Sequence, residues 1–242
     1  GAKILLHGDS YDDARQKAEQ LAAENHLELV SGFDDPDIIA GQGTLGLEIL
    51  QDVPSVDAIF VAVGGGCLIA GVGAAVKSLK PGVRIIGVEA ANAPTLHESL
   101  RLGRVTRVQT KPTLADGLAV AQIGKLCFES IRQVVDELIL VDESEIAQSI
   151  LRLAELEKMV VEGAGAVPLA AAVRKRNEFA NKKIVLCLTG GNIDVTTLSK
   201  IIERGLAAEG RLCRIVAFIR DRPGSLAKLT AILADTGASV KE

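Results

Sequence analysis

At 242 residues and 48% hydrophobic content, the chain is long enough for one large domain or two small ones around a sizeable core. A formal charge of −4 gives no electrostatic case for nucleic acid or an anionic membrane surface as partner. No apolar run approaches the length of a membrane span, and Cys67, Cys127, Cys187 and Cys213 lack disulfide-scaffold or metal-ligand spacing. All four sit in or beside apolar stretches, which predicts reduced, buried thiols and a cytoplasmic protein.

In chain order, Lys3–His7 reads as a strand, and Gly8-Asp9-Ser10 offers a turn and an N-cap. Ala14, Ala18, Leu21 and Ala22 give a helical stripe ending near Asn25, and Leu27–Val30 reads as a short strand. Asp37 to Leu50 is predicted helical, although Gly41 and Gly43 each cost about 1 kcal/mol of helix propensity. Ala58–Val63, six apolar residues in a row, has the character of a strand buried on both faces. Gly64-Gly65-Gly66 follows at once, then a helix from Leu68 to Leu79, a Pro81-Gly82 turn and the strand Arg84–Glu89.

The stretch from Ala90 to Gln122 is loop-rich, with one short helix around Leu96–Leu102. Ile123, Cys127, Ile131 and Val134 mark the next helix, and Glu137–Val141 the next strand. Asp142 and Glu145 have capping-box spacing before a helix reaching about Lys158. Glu162-Gly163-Ala164-Gly165-Ala166 leads into an Ala-rich helix to Arg176. Lys183–Leu188 is a strand, Thr189-Gly190-Gly191-Asn192 a glycine turn, and a helix follows through Ile201 and Ile202. The repeated strand–loop–helix order predicts an α/β protein with a mainly parallel twisted sheet and flanking helices. Past a linker at Ala207-Ala208-Glu209-Gly210, the strand Leu212–Ile219 and a helix lined by Leu226, Leu229 and Leu233 read as a second, truncated domain. Lys3 stands in a strand at one end, and another strand begins near Lys241-Glu242 at the other, so the chain is expected to be a fragment.

Ligands of parallel α/β sheets bind at the carboxyl ends of strands, and the loops at 64–66 and 190–191 and the carboxylate of Glu89 occupy such positions. Three glycines feeding a helix N-terminus leave N–H groups and the helix dipole aimed at one point, the setting for a phosphate. A catalytic triad has no support, because His7, His26 and His97 lie beside no Ser, Asp or Cys motif. A dinucleotide module is the first contender, but Ile69 stands where the third glycine of the fingerprint belongs. The second is a pyridoxal-phosphate site. Gly64–Cys67 would cradle the phosphate and Thr189 would offer its hydroxyl to the pyridine nitrogen.

The run Val63 to Gly71, with Val88-Glu89-Ala90-Ala91-Asn92-Ala93, Ala115-Asp116-Gly117, Glu162-Gly163-Ala164-Gly165, Thr189-Gly190-Gly191-Asn192 and the early Gly41 to Ile49, resembles the threonine ammonia-lyases. These are fold-type II pyridoxal-phosphate enzymes, and the resemblance runs through about residue 205. Residues 212–242, with Asp221-Arg222-Pro223-Gly224-Ser225-Leu226, resemble the first half of an ACT regulatory domain.

The resemblance implies three parts: a remnant of the small domain at 1–35, a partial large domain at 36–205 that binds the cofactor, and the ACT-like half at 212–242. It implies that Gly64, Gly65, Gly66, Cys67 and Leu68 hold the cofactor phosphate, with Cys67 in place of a usual fourth glycine. Thr189 faces the pyridine nitrogen, and a hydroxyl there suits elimination because it does not hold that nitrogen protonated. Glu89 and the Ala93 carbonyl match a cation site of some members. Thr95 replaces an acidic ligand there, which weakens the case for Mg²⁺ and leaves both a monovalent and a divalent ion open; Glu89 reads equally well as a plain carboxylate at a strand end. The family's Schiff-base lysine belongs to an N-terminal motif that no lysine here occupies, so no catalytic residue is assigned and the chain alone is expected to be inert. The expected activity of the whole is deamination of L-threonine, and of L-serine, to a 2-oxo acid and ammonia. A homo-oligomer, an amino-acid effector at the ACT part and a place in amino-acid metabolism, isoleucine biosynthesis included, complete the expectation.

Overall fold

The computed structural model describes residues 3–9, 11–213 and 215–239. Its centre is a sheet of four parallel strands, β1 (Ala58–Ala62), β2 (Arg84–Ala90), β3 (Glu137–Val141) and β4 (Ile184–Leu186), in the order β3-β2-β1-β4. Every residue of β1 is buried. Its alternation serves two cores: Ile59 and Val61 point to one, Ala58, Phe60 and Ala62 to the other.

Helices cover both faces. On one lie α2 (Pro36–Asp52), α3 (Cys67–Leu79) and α5 (Lys125–Val134), supplying Ile49, Ile69, Val72, Phe128 and Ile131. On the other lie α6 (Glu143–Arg152) and α7 (Gly163–Arg174), supplying Ile146, Ile150, Val167 and Ala171. The glycines expected to weaken α2 have a packing purpose at its crossing with α3. A side chain at Gly71 would meet the Ile39 carbonyl at 2.2 Å, and one at Gly43 would meet the Gly71 carbonyl at 3.3 Å, so the two backbones approach closely. Gly41 has open space around it, and nothing in the structure explains it.

Caps set the helix starts: the one at Asp142 is expected from the sequence, and Asp35 is a further one that starts α2 at Pro36. Asp35 accepts the N–H groups of Asp37 and Ile38 before α2, and Asp142 and Glu145 form a reciprocal capping box before α6. The helix expected to reach Lys158 ends as α-helix at Arg152 and continues as a π turn over Leu153–Glu157. The short α4 (Thr95–Leu102) and α1 (Tyr11–Asn25) match their expected positions; of the expected cap at Gly8-Asp9-Ser10, Ser10 lies outside the described residues.

Three expected strands are absent among the described residues. Lys3–His7 and Leu27–Val30 are irregular, with Ile4 at 82% and Leu6 at 90% exposure. Residues 212–213 and 215–219 are irregular too, and Phe218 is 99% exposed; Arg214 lies outside the described residues, as does the strand expected near Lys241-Glu242. Apolar, β-branched sequence becomes a strand only by pairing with an edge, and among the described residues none of these segments pairs with one. β4 is also shorter than Lys183–Leu188, because the ladder with β1 stops at Leu186; only the Cys187 N–H reaches one residue further, to the Phe60 carbonyl.

Two compact units are distinguished, Gly1–Gly205 and Leu206–Glu242. The second holds the end of α8 (Val195–Ala208), which runs through half of the expected linker, and α9 (Ser225–Asp235), none of whose residues is buried.

Candidate active site

β1 ends at Ala62, and Val63 still donates its N–H to the Val88 carbonyl at 2.8 Å before the chain turns through Gly64–Gly66 into α3. Gly66 takes φ 99°, a left-handed conformation that glycine adopts without strain, and no side chain caps the helix behind it. The first N–H groups of α3 therefore stand at a cavity of about 390 Å³. Gly64, Gly65, Gly66, Cys67 and Leu68 line it, together with Phe33, Thr189 and the turn around Asp116–Leu118.

The three glycines owe their identity to protein neighbours as well as to any ligand. A side chain at Gly64 would press on Leu118 at 3.1 Å, and one at Gly65 would enter the Phe33 ring at 2.2 Å. Phe33 is held there by its neighbour: the Asp34 carboxylate accepts the N–H groups of Lys125 and Leu126 at 2.8 and 2.9 Å, capping α5 from a distant loop. Tyr11 and the Arg15 guanidinium flank the Phe33 ring at 6.0 and 5.6 Å. Triple glycine alone is thus a weaker sign of phosphate than its count implies. The uncapped helix end facing the cavity is the stronger one.

Burial pushes the Cys67 thiol above its ordinary range, so it meets the cavity as a neutral group. Cys127 and Cys187 are buried, and burial raises both to about 12. Two thiols depart from the expected burial: Cys67 is only partly buried, at the cavity wall, and Cys213 is exposed, because its segment pairs with no sheet among the described residues.

Thr189 follows β4 and is exposed on the cavity wall. Glu89 does not line the cavity. It is fully buried one residue before the end of β2 and serves α4, accepting the Thr95 hydroxyl at 3.1 Å and the Leu96 and His97 N–H groups at 2.6 and 2.9 Å. Burial outweighs these donors and lifts its carboxyl to about 7. The Ala93 carbonyl accepts the Thr95 N–H at 3.0 Å. Of the three features expected to converge, the loop at 64–66 lines the cavity, the turn at 190–191 reaches it only through the preceding Thr189, and Glu89 stands apart.

Sequence reasoning passed over Phe33, Tyr11 and the roles of Asp116 and Glu162. The signal for Phe33 lay in its place beside Asp34-Asp35-Pro36, two caps and a helix-starting proline, which fix that loop against the fold.

Residues 1–190 match the family described as pyridoxal-phosphate dependent enzymes. The chain belongs to that family. It is 47% identical over 240 residues to an L-threonine ammonia-lyase of Thermotoga maritima and 48% identical over 240 residues to one of Geobacter sulfurreducens. Each alignment covers 99% of this chain and 60% of the relative, so the chain spans three fifths of their length. Threonine deaminase isoform 2 of Solanum lycopersicum superposes with a TM-score of 0.78 at 35% identity, covering 82% of this chain and 59% of that one. The serine racemase of maize gives 0.75 at 31% identity, with 87% and 65% covered. The pyridoxal-phosphate dependent enzyme family takes precedence over the dinucleotide reading, and the fold-type II α/β architecture agrees with the parallel sheet.

Proposed function

We propose that this chain forms the cofactor-binding part of an enzyme that deaminates L-threonine, and L-serine, to a 2-oxo acid and ammonia. The observation that carries the reading is a single cavity, at the carboxyl ends of β1 and β4, that combines the uncapped N-terminus of α3 with the Thr189 hydroxyl. The N–H groups of Gly64, Gly65, Gly66, Cys67 and Leu68 hold the phosphate of pyridoxal phosphate, and Thr189 faces its pyridine nitrogen. When bound, the cofactor supplies an electron sink for the charge left as the amino acid loses its α-proton. This chain's residues bind and orient: the α3 dipole favours the dianion, and Phe33, Leu118 and Val120 present apolar walls. Net, threonine gives 2-oxobutanoate and ammonia, the hydroxyl leaving as water and a water returning.

No lysine is among the described residues that line the cavity. That supports assigning the lysine that anchors the cofactor and moves the α-proton to polypeptide outside this sequence. The test is direct. Mixed with pyridoxal phosphate and L-threonine, the 242-residue chain is expected to form no 2-oxobutanoate above the rate of free cofactor. The full-length protein carrying this sequence is expected to turn over, and borohydride reduction with peptide mapping to mark a lysine outside these residues. Turnover by the chain alone, with one of its own lysines modified, overturns the assignment.

Glu89 and the Ala93 carbonyl are proposed for a cation on the resemblance alone. With one carboxylate, already engaged by three donors, the set suits a weakly held monovalent ion better than a divalent one. Such an ion needs Glu89 ionised, so its binding strengthens as the pH rises through 7. Residues 212–242 are proposed as the first half of an ACT domain that takes an amino-acid effector, with isoleucine biosynthesis as context. Leu226, Leu229 and Leu233 share one side of α9, with Leu226 64% exposed, which supports an apolar face there. A homo-oligomer and a cytoplasmic location are proposed with it. Among the described residues no helix is long and apolar enough to cross a membrane.

A further inference from the structure

We infer that Glu162 is the positioning residue for Thr189, and the inference rests on the pyridine-partner reading of that threonine. Thr189 needs such a residue because the sheet does not hold it. β4 is an edge strand of three residues, and its last backbone bond to β1 is donated by Cys187. From Leu188 onward the chain has left the ladder.

Glu162 then grips the turn at two points. Its backbone N–H donates to the Gly190 carbonyl at 3.1 Å, and its carboxylate Oε2 accepts the Asn192 N–H at 2.8 Å. The other carboxylate oxygen occupies the space a side chain at Gly190 would need, 2.3 Å from that site. The same oxygen lies 3.6 Å from where a side chain would start on Gly117, in the turn that forms another wall of the cavity. One carboxylate thus excludes a side chain at Gly190 and stands beside the turn at Gly117, where the Ala164 methyl, at 3.2 Å, is the tighter neighbour.

Glu162 is itself fixed, as the residue that opens α7, where Gly163 and Gly165 pack against the Leu114 carbonyl and Gly190 too closely for side chains. A group whose supports are set by packing and second contacts holds its geometry; one left on a free loop does not. Glu162 therefore acts on the cofactor through the backbone of residues 190–192 and touches no reacting atom.

The experiment is a double-mutant cycle in the full-length protein carrying this sequence, read by pyridoxal-phosphate affinity and the absorbance of the bound cofactor. Thr189→Ala is expected to weaken affinity up to tenfold. Glu162→Ala is expected to match it, and Glu162→Gln, which keeps an oxygen to accept the Asn192 N–H, to stay within twofold of the native protein. The double variant Glu162→Ala/Thr189→Ala is expected to be no worse than Thr189→Ala alone. In cofactor-free protein, Glu162→Ala is expected to speed amide exchange at Asn192. Where Glu162→Ala fails to fold, Gly190→Ala carries the test, since its methyl displaces the carboxylate from the turn and is expected to reproduce the Thr189→Ala spectrum. A native-like spectrum in both Glu162→Ala and Gly190→Ala, or additive losses in the double variant, overturns the inference while leaving Thr189 in place. A silent Thr189→Ala removes the pyridine-partner reading and the inference with it.

Discussion

Gly65→Asp in the full-length protein is expected to abolish cofactor retention. The new carboxylate enters the wall where the α3 N–H groups gather, beside a site read as binding a dianion. Two like charges about 4 Å apart at an effective dielectric of 20 repel by about 4 kcal/mol, roughly a thousandfold in affinity. Sterics contribute separately, because any side chain at 65 meets the Phe33 ring, 2.2 Å from its first carbon. Gly65→Ala isolates that part: it displaces Phe33 without adding charge. The measurement is cofactor content after gel filtration in dilute buffer, with dissociation constants for both variants. Equal losses in the Ala and Asp variants would falsify the phosphate assignment of this loop, since charge would then have no role.

The second large effect is on stability and comes from Glu89. Its folded carboxyl titrates near 7, raised from 4.5 by burial. Between those values the folded protein keeps a proton that the unfolded chain releases, so the contribution is full below pH 4.5 and is lost as the pH rises through 7. The loss is about 3 kcal/mol in order of magnitude at 1.36 kcal/mol per unit of pKa. Urea unfolding of the native protein and of Glu89→Gln at pH 5 and pH 8 reads it. The native protein is expected to lose stability relative to the Gln variant between the two pH values. Parallel behaviour of the pair would show that Glu89 is ionised throughout, as its three donors on α4 favour. Glu89→Ala is expected to be the more damaging change at either pH, because it leaves the buried Thr95 hydroxyl and the start of α4 without an acceptor.

What the sequence disclosed follows from how local each signal is. β1, β2 and β3 were legible because continuous apolar runs mark strands buried on both faces, and the cap residue Asp142 acts within one turn of where it stands. The failures share one cause. Lys3–His7, Leu27–Val30 and Leu212–Ile219 have strand composition, but pairing is a property of the neighbour as much as of the segment. In the site, Gly64–Gly66 and Thr189 could be found because backbone freedom and a strand end are written locally. The fixed loop around Phe33 left a local trace, but its contact with Gly65, set by an aspartate that caps a helix some ninety positions later, did not. Glu162 was visible only as a member of a glycine-rich junction, since its partners lie at 190 and 192.

The strand order carries a consequence in time. β1 finds β2 a short distance along the chain, but its other neighbour arrives only after β3, α6 and α7, with the Asp57 carboxylate and the Lys183 N–H meeting across 126 positions. Closing so long a loop costs entropy that earlier, nearer contacts do not, and such pairings form late. β4 and the turn beyond it are accordingly the last part of the sheet to dock, and amide protection at residues 190–192 is expected to lag behind that of β1, β2 and β3 in pulse-labelled refolding. The glycine loop after β1 is therefore in place before the Thr189 wall that completes its cavity. During that interval the uncapped end of α3 stands open to an anion, and Thr189 is not yet beside it.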